Sequence, residues 1–275
     1  MIKNAIIHRI FAYVKHFFSA WNTTGEGIHS PYLFELVRFV LRDRNSYYCF
    51  SEIEGRRQLL LDCEDELEVV DYGSKGSKGG ARVRRLVCDI AKGHLESALV
   101  GQTLFRLVNW LGEKEKRPLR IVELGTSLGI TTAYLASADS RNSVKTIEGS
   151  REILKIAQGS WRALKLENIE WKEGRIEDVL SEYADVTGGE QKWDLVYIDA
   201  NHTYEATKEY VNWFLERMNE KGVIVIDDIH WSEGMEKAWK EVKEDERVTT
   251  SMDLYDIGMI FVDKHYLKRH YIIRL

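Results

Sequence analysis

Residues 120–136 read RIVELGTSLGITTAYLA, and this stretch decides the fold of the chain. Its first five residues, 120–124, are mostly apolar, as is typical of a short buried strand. A glycine-bounded loop follows at 125–129, and glycines are needed where the backbone turns sharply or a ligand approaches it closely. Residues from Thr131 to Ala136 then predict a helix. The stretch therefore predicts a strand, a tight loop and a helix in direct succession.

Strands continue to alternate with helices toward the C-terminus. The sequence predicts strands at 143–148, 168–172, 193–199 and 222–227, and helices at 151–164, 204–218 and 235–242. This alternation is typical of a parallel sheet with helices on both faces. Residues 249–255 and 257–262 are too close for a helical crossover, so we expect an antiparallel hairpin. The expected fold class is α/β, a doubly wound, seven-stranded, mostly parallel and Rossmann-like sheet.

The first hundred residues show a different pattern, so we expect a helical N-terminal region at 1–100 and a second domain at 101–275. Apolar residues recur at helical spacing from Ile6 to Trp21. Ser30 is a candidate helix cap with Pro31 in the first turn, and residues 81–92 predict another helix. The glycine-rich stretch 71–80 is expected to be a surface loop, with anion binding as the alternative.

The apolar stripe of the helix 6–21 has two interpretations. Soluble monomers rarely expose contiguous apolar patches, so we expect it to pack on the rest of the chain or on a second subunit. The N-terminal region would then act as a substrate lid, a packing element or a homodimer element. The alternative is a peripheral anchor on a membrane surface.

Composition limits the class of protein. With 275 residues, 44% hydrophobic and 30% charged, the chain resembles an ordinary soluble protein. A net charge of −5 argues against a general nucleic-acid binder. Cys49, Cys63 and Cys88 lack CxxC spacing, so we expect reduced thiols. With no signal-peptide pattern and no spanning apolar segment, we expect a cytoplasmic protein.

The loop at 125–129 has the spacing GxxxG, whereas a loop that cradles a dinucleotide pyrophosphate has GxGxxG. Glu123 stands two residues before its first glycine. Glu148 ends the second strand, where its carboxylate can accept hydrogen bonds from both hydroxyls of a ribose. The ordered set favours a nucleoside-like ligand with cationic groups instead of phosphates.

Three carboxylates follow two neighbouring strands. Asp199 ends the strand 193–199, and Asp227 and Asp228 end the next one. Crowded carboxylates repel each other unless they are protonated or bind a cation, and oxygen ligands of this kind suit Mg²⁺. The alternative is that Asp228 caps the following helix and Asp199 only contacts the cofactor.

Two histidines follow the same strands. His202 lies three residues after Asp199, and an imidazole with an unperturbed pKa of ~6.5 can take a proton from a hydroxyl. His230 lies three residues after Asp227. It is a candidate fourth metal ligand or substrate contact, although a lone histidine is more often structural.

Five motifs together resemble a known family. They are GQ at 101–102, ELGTSLGITT at 123–132, TIEGS at 146–150, YIDANHTYE at 197–205 and VIDDIHW at 225–231. The series is similar to that of the catechol and caffeoyl-CoA type O-methyltransferases, which are class I enzymes dependent on S-adenosylmethionine. The similarity extends over about residues 101–262 and does not include the first hundred.

The resemblance implies S-adenosylmethionine as the cofactor. It implies Gly125 and Thr131 near the methionine end, Glu148 on the ribose and Glu177 near the adenine. We assign further residues of the predicted strand ends and of the loops that follow them to the same site. They are Glu123, Ser127, Gly129, Gly149, Gly174, Arg175 and Asp199.

The resemblance also implies a metal site and a proton acceptor. In the family, an Asp and an Asp-Asn pair hold a divalent ion, which here predicts Asp199, Asp227 and Asp228 as ligands, with Asp228 replacing the family's Asn. His202 occupies the place of a catalytic lysine, so His202 and Asp199 are the predicted catalytic residues. The motif DANHTY at 199–204 lacks the Pro-Pro-aromatic pattern of enzymes that methylate amines of nucleic-acid bases.

The leading hypothesis is therefore methylation of a small-molecule hydroxyl, assisted by Mg²⁺ or a similar cation. One alternative is a metal-independent methyltransferase that acts on another nucleophile, including one on a macromolecule. A second alternative is a non-catalytic scaffold that binds S-adenosylmethionine.

Overall fold

A computed structural model describes residues 2–71, 81–187 and 192–275. The helices are α1 (Ile2–Ser19), α2 (Pro31–Leu36), α3 (Phe50–Leu61), α4 (Val87–His94), α5 (Ala98–Glu115), α6 (Ile130–Ser137), α7 (Arg151–Ala163), α8 (Ile176–Thr187), α9 (Tyr204–Leu215) and α10 (Glu233–Glu244). The strands are β1 (Glu66–Asp71), β2 (Ala81–Leu86), β3 (Arg120–Leu124), β4 (Ser143–Glu148), β5 (Ile169–Glu173), β6 (Trp193–Ile198), β7 (Met218–Asp227), β8 (Thr250–Asp253), β9 (Ile257–Phe261) and β10 (Arg269–Ile272). A turn of π-helix at Val37–Leu41 follows α2.

The chain divides into two compact units. Unit 1 comprises Met1–Asp43 together with Lys192–Leu275, and unit 2 comprises Arg44–Gln191. Residue 100, the predicted limit of the N-terminal region, lies within unit 2. The division into 1–100 and 101–275 stays a prediction.

Unit 2 contains three parallel strands of the main sheet in the order β3-β4-β5. Helices α6, α7 and α8 follow these strands in turn, as the alternation of strand and helix patterns in the sequence predicts. The side chains of Ile121, Val122 and Leu124 on β3 are completely buried. Burial on both faces is characteristic of a parallel strand covered by helices.

Unit 1 contains the other strands of the sheet in the order β10-β8-β9-β7-β6. β6 and β7 are parallel, whereas β9 is antiparallel to both β7 and β8. The α/β class and the predicted C-terminal hairpin are therefore confirmed. The described strands of the sheet number eight, not seven, because β10 pairs in parallel with β8. β10 has only four residues, two of them exposed, so it carries little apolar signal.

The predicted helix over residues 81–92 is wrong in its first half. Residues 81–86 form β2, which pairs antiparallel with β1, and only Val87–His94 is helical. Ion pairs join the two strands, from Arg82 to Glu68 at 3.0 Å and from Arg84 to Glu66 at 3.5 Å. Such cross-strand pairs favour a hairpin. Residues 72–80 of the glycine-rich loop lie outside the described residues.

The N-terminal helix α1 packs within unit 1 through its small residues and histidines. Ala12, His16 and Ala20 are buried, while Phe11 and Phe18 on the opposite side are exposed. The chain itself therefore does not cover the predicted apolar stripe. Among the described helices, none is long and apolar enough to cross a membrane.

The predicted cap at Ser30 is confirmed. Its hydroxyl accepts a hydrogen bond from the amide of Leu33 at 3.4 Å, and Pro31 occupies the first helical position of α2.

Candidate active site

The loop between β3 and α6 is a tight turn held by β4. Gly125 and Gly129 have φ of 93° and 79°, which side chains with a Cβ rarely adopt. The amides of Gly125 and Thr126 both donate to the carbonyl of Ile147, at 3.1 and 3.2 Å. The loop backbone is therefore fixed against the end of β4 in unit 2.

Gly129 also allows α7 to approach the loop. The indole N–H of Trp161 donates to its carbonyl at 2.9 Å. A Cβ on Gly129 would lie 2.6 Å from the same nitrogen and 2.7 Å from the Cβ of Ala157. The second glycine is thus required by packing as well as by backbone conformation.

Replacing Gly129 with alanine should destabilise the protein by ~1–3 kcal/mol, because the added Cβ overpacks the contact and strains φ. Gly159 on α7 is the matched control, since a Cβ there would meet nothing within 4 Å. Alanine at position 159 should stabilise the helix by up to ~1 kcal/mol. Urea unfolding measures both, and a Gly129→Ala protein as stable as wild type would contradict the packing argument.

Glu123 lies deep in unit 2 and is completely buried. One of its carboxylate oxygens, Oε2, accepts hydrogen bonds from the hydroxyls of Thr132 at 2.5 Å and Thr146 at 2.6 Å. It therefore ties β3 to α6 and β4. Glu123 was predicted as a cofactor neighbour, and its observed contacts make it a support for the loop.

Glu148 receives two backbone amides. Its Oε2 accepts from Ser127 and its Oε1 from Ser150, each at 2.9 Å, and the side chain is half-buried. Ser127 has φ of 48°, so the carboxylate holds a residue in an unusual conformation. A carboxylate has about four acceptor positions. Glu148 can therefore keep both amides and still accept ligand hydroxyls.

The third predicted loop follows β5 and joins the same framework. The amide of Gly174 donates to the backbone carbonyl of Glu148 at 3.0 Å. Arg175 lies 3.5 Å from Glu177 at the start of α8. Unit 2 thus connects the loops after its three parallel strands through Glu148. Of the other predicted positions, Thr131 is nearly buried and Gly149 is half-buried.

Asp199 and Asp227 each come directly after a residue of a paired strand in unit 1. Ile198 pairs with Ile226 in the parallel register of β6 and β7, so the next residue on each strand is an aspartate beside an aspartate. Asp227 is almost completely buried, and Asp199 is half-buried. The expectation that these strand ends bring carboxylates together is consistent with this register.

His202 completes a cluster with these two aspartates. One ligand atom from each of Asp199, His202 and Asp227 lies within 4.8 Å of the others. His202 Nε2 is 3.2 Å from Asp199 Oδ1, and its Nδ1 is 3.4 Å from Asp228 Oδ2. Within the part of the chain that the structure describes, Asp228 is not a member of that three-residue group. It contacts the far side of the imidazole instead.

Asp228 has an unusual backbone and an altered acidity. Its φ is 52°, in the left-handed region. Burial raises the pKa of Asp228, the neighbouring His202 opposes the rise, and the charge of Asp199 adds to it. Its carboxylate is therefore more easily protonated than an exposed one.

The loop after β3 and the cluster of Asp199, His202 and Asp227 both lie in a segment that is similar to known proteins. Residues 122–229 match the family model of a methyltransferase domain. This segment is the part of the chain that is similar to a methyltransferase domain. The match includes Glu123 and the loop of unit 2 as well as Asp199, His202 and Asp227 of unit 1. No curated protein matches the chain.

Solved structures share the fold of the methyltransferase domain. An O-methyltransferase from Bacillus cereus, in complex with SAH, is 19% identical with a TM-score of 0.58, over 82% of this chain and 96% of that one. The SAH-bound Podospora anserina methyltransferase PaMTH1 is 15% identical with a TM-score of 0.54, over 85% and 96%. The O-methyltransferase TomG from Streptomyces achromogenes, in complex with SAM, is 24% identical with a TM-score of 0.52, over 62% and 82%. At these identities the likeness shows the class I fold.

His230, just beyond the matched residues, belongs to a different cluster. Its Nδ1 is 2.9 Å from Glu236 and its Nε2 is 3.0 Å from Asp253. Burial would lower the pKa of His230, but the hydrogen bonds with Asp253 and Glu236 outweigh it and raise the pKa. These contacts favour the structural interpretation of His230 over the predicted ligand or substrate contact.

The sequence did not indicate the partners of this second cluster. His16 of α1 lies 3.2 Å from Asp253, and the indole of Trp239 donates to the same carboxylate at 3.1 Å. His16 and Asp253 are separated by 237 residues. No local motif could reveal the contact, although a histidine on the side of α1 opposite its apolar stripe was a usable signal.

Proposed function

We propose that the chain transfers a methyl group from S-adenosylmethionine to a hydroxyl oxygen of a small molecule, assisted by a divalent cation. The observation that carries this proposal is the cluster of Asp199, His202 and Asp227 at two adjacent strand ends. The methyltransferase domain that contains this cluster has the fold of O-methyltransferases from other organisms.

Unit 2 supplies the proposed cofactor site. Glu148 keeps acceptor capacity while it orders Ser127, which suits the two hydroxyls of a ribose. The backbone of the loop at Gly125 suits the methionine end, since a glycine brings no Cβ toward a ligand. Gly174, Arg175 and Glu177 are proposed for the adenine side. S-adenosylmethionine, when bound, supplies a methyl group on a sulfonium that is a good leaving group.

The donor set in unit 1 fits a divalent cation. Asp199, His202 and Asp227 each have a ligand atom within 4.8 Å of the others, and the two carboxylates offer the oxygen ligands that Mg²⁺ or Mn²⁺ and similar ions accept. We propose Asp199 and Asp227 as the main ligands. Asp228 lies 3.4 Å from the Nδ1 of His202. Such a cation would lower the pKa of a substrate hydroxyl.

His202 is proposed to take the hydroxyl proton. Asp199 on one ring nitrogen and Asp228 near the other hold the imidazole in place. The substrate oxygen would bond to the methyl carbon as the bond from that carbon to sulfur breaks, its proton would move to His202, and S-adenosylhomocysteine would leave. A metal-independent version of the same transfer is the second candidate. It is favoured by the observation that both imidazole nitrogens of His202 face carboxylates, because these carboxylates can orient the imidazole without a cation.

Formation of S-adenosylhomocysteine tests these proposals. The enzyme is incubated with a panel of catechols and other hydroxyl compounds, with and without a strong chelator. Turnover that the chelator abolishes and added Mg²⁺ restores supports cation assistance. Turnover unaffected by the chelator assigns the metal-independent version. Binding of S-adenosylmethionine without turnover of any compound would favour the scaffold hypothesis.

Glu148→Ala should weaken S-adenosylmethionine binding by ~1–3 kcal/mol, because charged hydrogen bonds to the ribose are lost. Calorimetry measures the change. Glu152→Ala is the matched control. Glu152 lies in the first turn of α7 and pairs with Lys155 on the surface. Unchanged affinity in Glu148→Ala, with a normal unfolding midpoint, would remove this residue from the proposed site.

A further inference from the structure

The N-terminal helix α1 presents an apolar face that unit 1 does not use. Its buried side includes Ala12 and His16, and Ala20, the residue directly after the helix, is also buried. His16 faces Asp253, and the hydroxyl of Tyr255 donates to the carbonyl of Arg9 at 2.8 Å. The helix is thus attached through its polar and small side.

The opposite side of α1 carries large exposed side chains. Phe18 is 81% exposed and Phe11 71%, and Trp21, just beyond the end of the helix, is 67% exposed. Ile10, Val14 and Phe17 lie between them at spacings of three and four and are also exposed. These six residues, which we call the α1 apolar face, form one continuous stripe. Contiguous apolar patches of this kind mark interaction sites.

The segment that carries the α1 apolar face and the C-terminal segment beside it contain basic residues but no acidic ones. All 44 Asp and Glu residues of the chain lie between positions 26 and 263. Residues 2–25 contain three Lys and Arg, and residues 264–275 contain four. The two acid-free segments meet in unit 1, where the amide of Arg274 donates to the Thr23 hydroxyl at 3.2 Å and its guanidinium lies 4.5 Å from the Phe17 ring.

We infer that the α1 apolar face docks on an anionic lipid surface. A lipid surface offers an apolar layer for the aromatic side chains and negative headgroups for the basic residues beside them. A second copy of this chain fits less well, because a twofold contact places the same surface against itself and would oppose two basic, acid-free segments. The inference is independent of the proposed methyl transfer.

Flotation of the full chain with vesicles tests the inference. Vesicles of phosphatidylcholine alone are compared with vesicles that also contain phosphatidylglycerol. The protein should bind the anionic vesicles, less so as salt rises, because surface charges are screened. The double variant Phe11→Ser, Phe18→Ser should bind roughly tenfold or more weakly. Leu59→Ser is the matched control, an exposed apolar residue on α3 of unit 2.

Each other outcome decides against the inference. Failure to bind anionic vesicles, equal binding to both vesicle types, or binding that persists in the double variant overturns it. A dimer detected by light scattering, lost in the double variant and accompanied by no vesicle binding, assigns the face to a second copy. Circular dichroism and thermal unfolding confirm that the variants are folded, since both replaced side chains are exposed.

Discussion

Replacing His202 by alanine is expected to lower kcat/KM for the proposed methyl transfer by ~10²–10⁴-fold, the usual contribution of a positioned general base. The imidazole lies 3.2 Å from Asp199 and within reach of Asp227. In wild type, kcat/KM should rise with pH until His202 has lost its proton and then level off. The variant should lack this dependence.

His265→Ala is the matched control for this measurement. His265 is an exposed histidine of the same unit that pairs with Asp263 at 2.8 Å. It should leave kcat/KM unchanged. Calorimetry should show that His202→Ala still binds S-adenosylmethionine, which separates a proton-transfer role from loss of the cofactor site. Wild-type kcat/KM in the variant would remove His202 from the reaction.

The loop after β3 could be predicted from the sequence because its glycines and the elements on either side of it are recognisable locally. Gly125 and Gly129 have positive φ values in a short turn, and the spacing of the two glycines in the sequence already indicates such a turn. The strand before the loop and the helix after it follow from apolar periodicity. The same holds for Asp199 and Asp227, since two buried parallel strands of matched register bring their ends together.

Contacts between distant segments could not be predicted in this way. Glu123 beside the cofactor stays a prediction, and the sequence did not indicate the hydrogen bonds that its carboxylate accepts from Thr132 and Thr146. Asp228 follows Asp227 directly, yet its positive φ turns the carboxylate toward His202 Nδ1. The helix period of α1 revealed an apolar stripe but could not show that small residues form the packed side.

The hairpin β1–β2 also depends on contacts that the sequence pattern of a single segment does not reveal. Residues 82–85 read RVRR, which is compatible with an exposed helix as well as a strand. The glutamates of β1 that pair with Arg82 and Arg84 decide the conformation. A pattern within one segment does not contain this information, because strand propensity depends on the partner strand.

The second large effect is expected at Asp253, which holds α1 on unit 1. Its carboxylate lies 3.2 Å from His16 and 3.0 Å from His230, and it accepts from the Trp239 indole and the amide of Tyr255. Burial alone would raise the pKa of Asp253, but hydrogen bonds from His16 and His230 outweigh it and hold the pKa well below its usual range. The charged carboxylate is therefore the form that the fold stabilises.

Asp253→Ala should lower the free energy of unfolding by ~3–5 kcal/mol where His230 is charged, because it leaves buried charge without its partner. The lowered pKa of Asp253 gives stability that is present above the unfolded carboxylate pKa of ~3.9 and lost as pH falls through the folded value. The raised pKa of His230 gives stability that is present below ~6.5 and lost as pH rises through the folded value.

Both contributions are present together between about pH 4 and 6.5, so the loss in Asp253→Ala should be largest in this window and smaller at alkaline pH. Urea unfolding of wild type and variant at an acidic and an alkaline pH measures the difference. Asp245→Ala is the matched control, because Asp245 forms a surface pair with Arg247 at 2.7 Å and should contribute less than ~1 kcal/mol. An Asp253→Ala loss that is equally large at both pH values would show that packing, not the charge on His230, makes Asp253 necessary. A loss no larger than that of Asp245→Ala would show that the contact between His16 and Asp253 does not hold α1 in place.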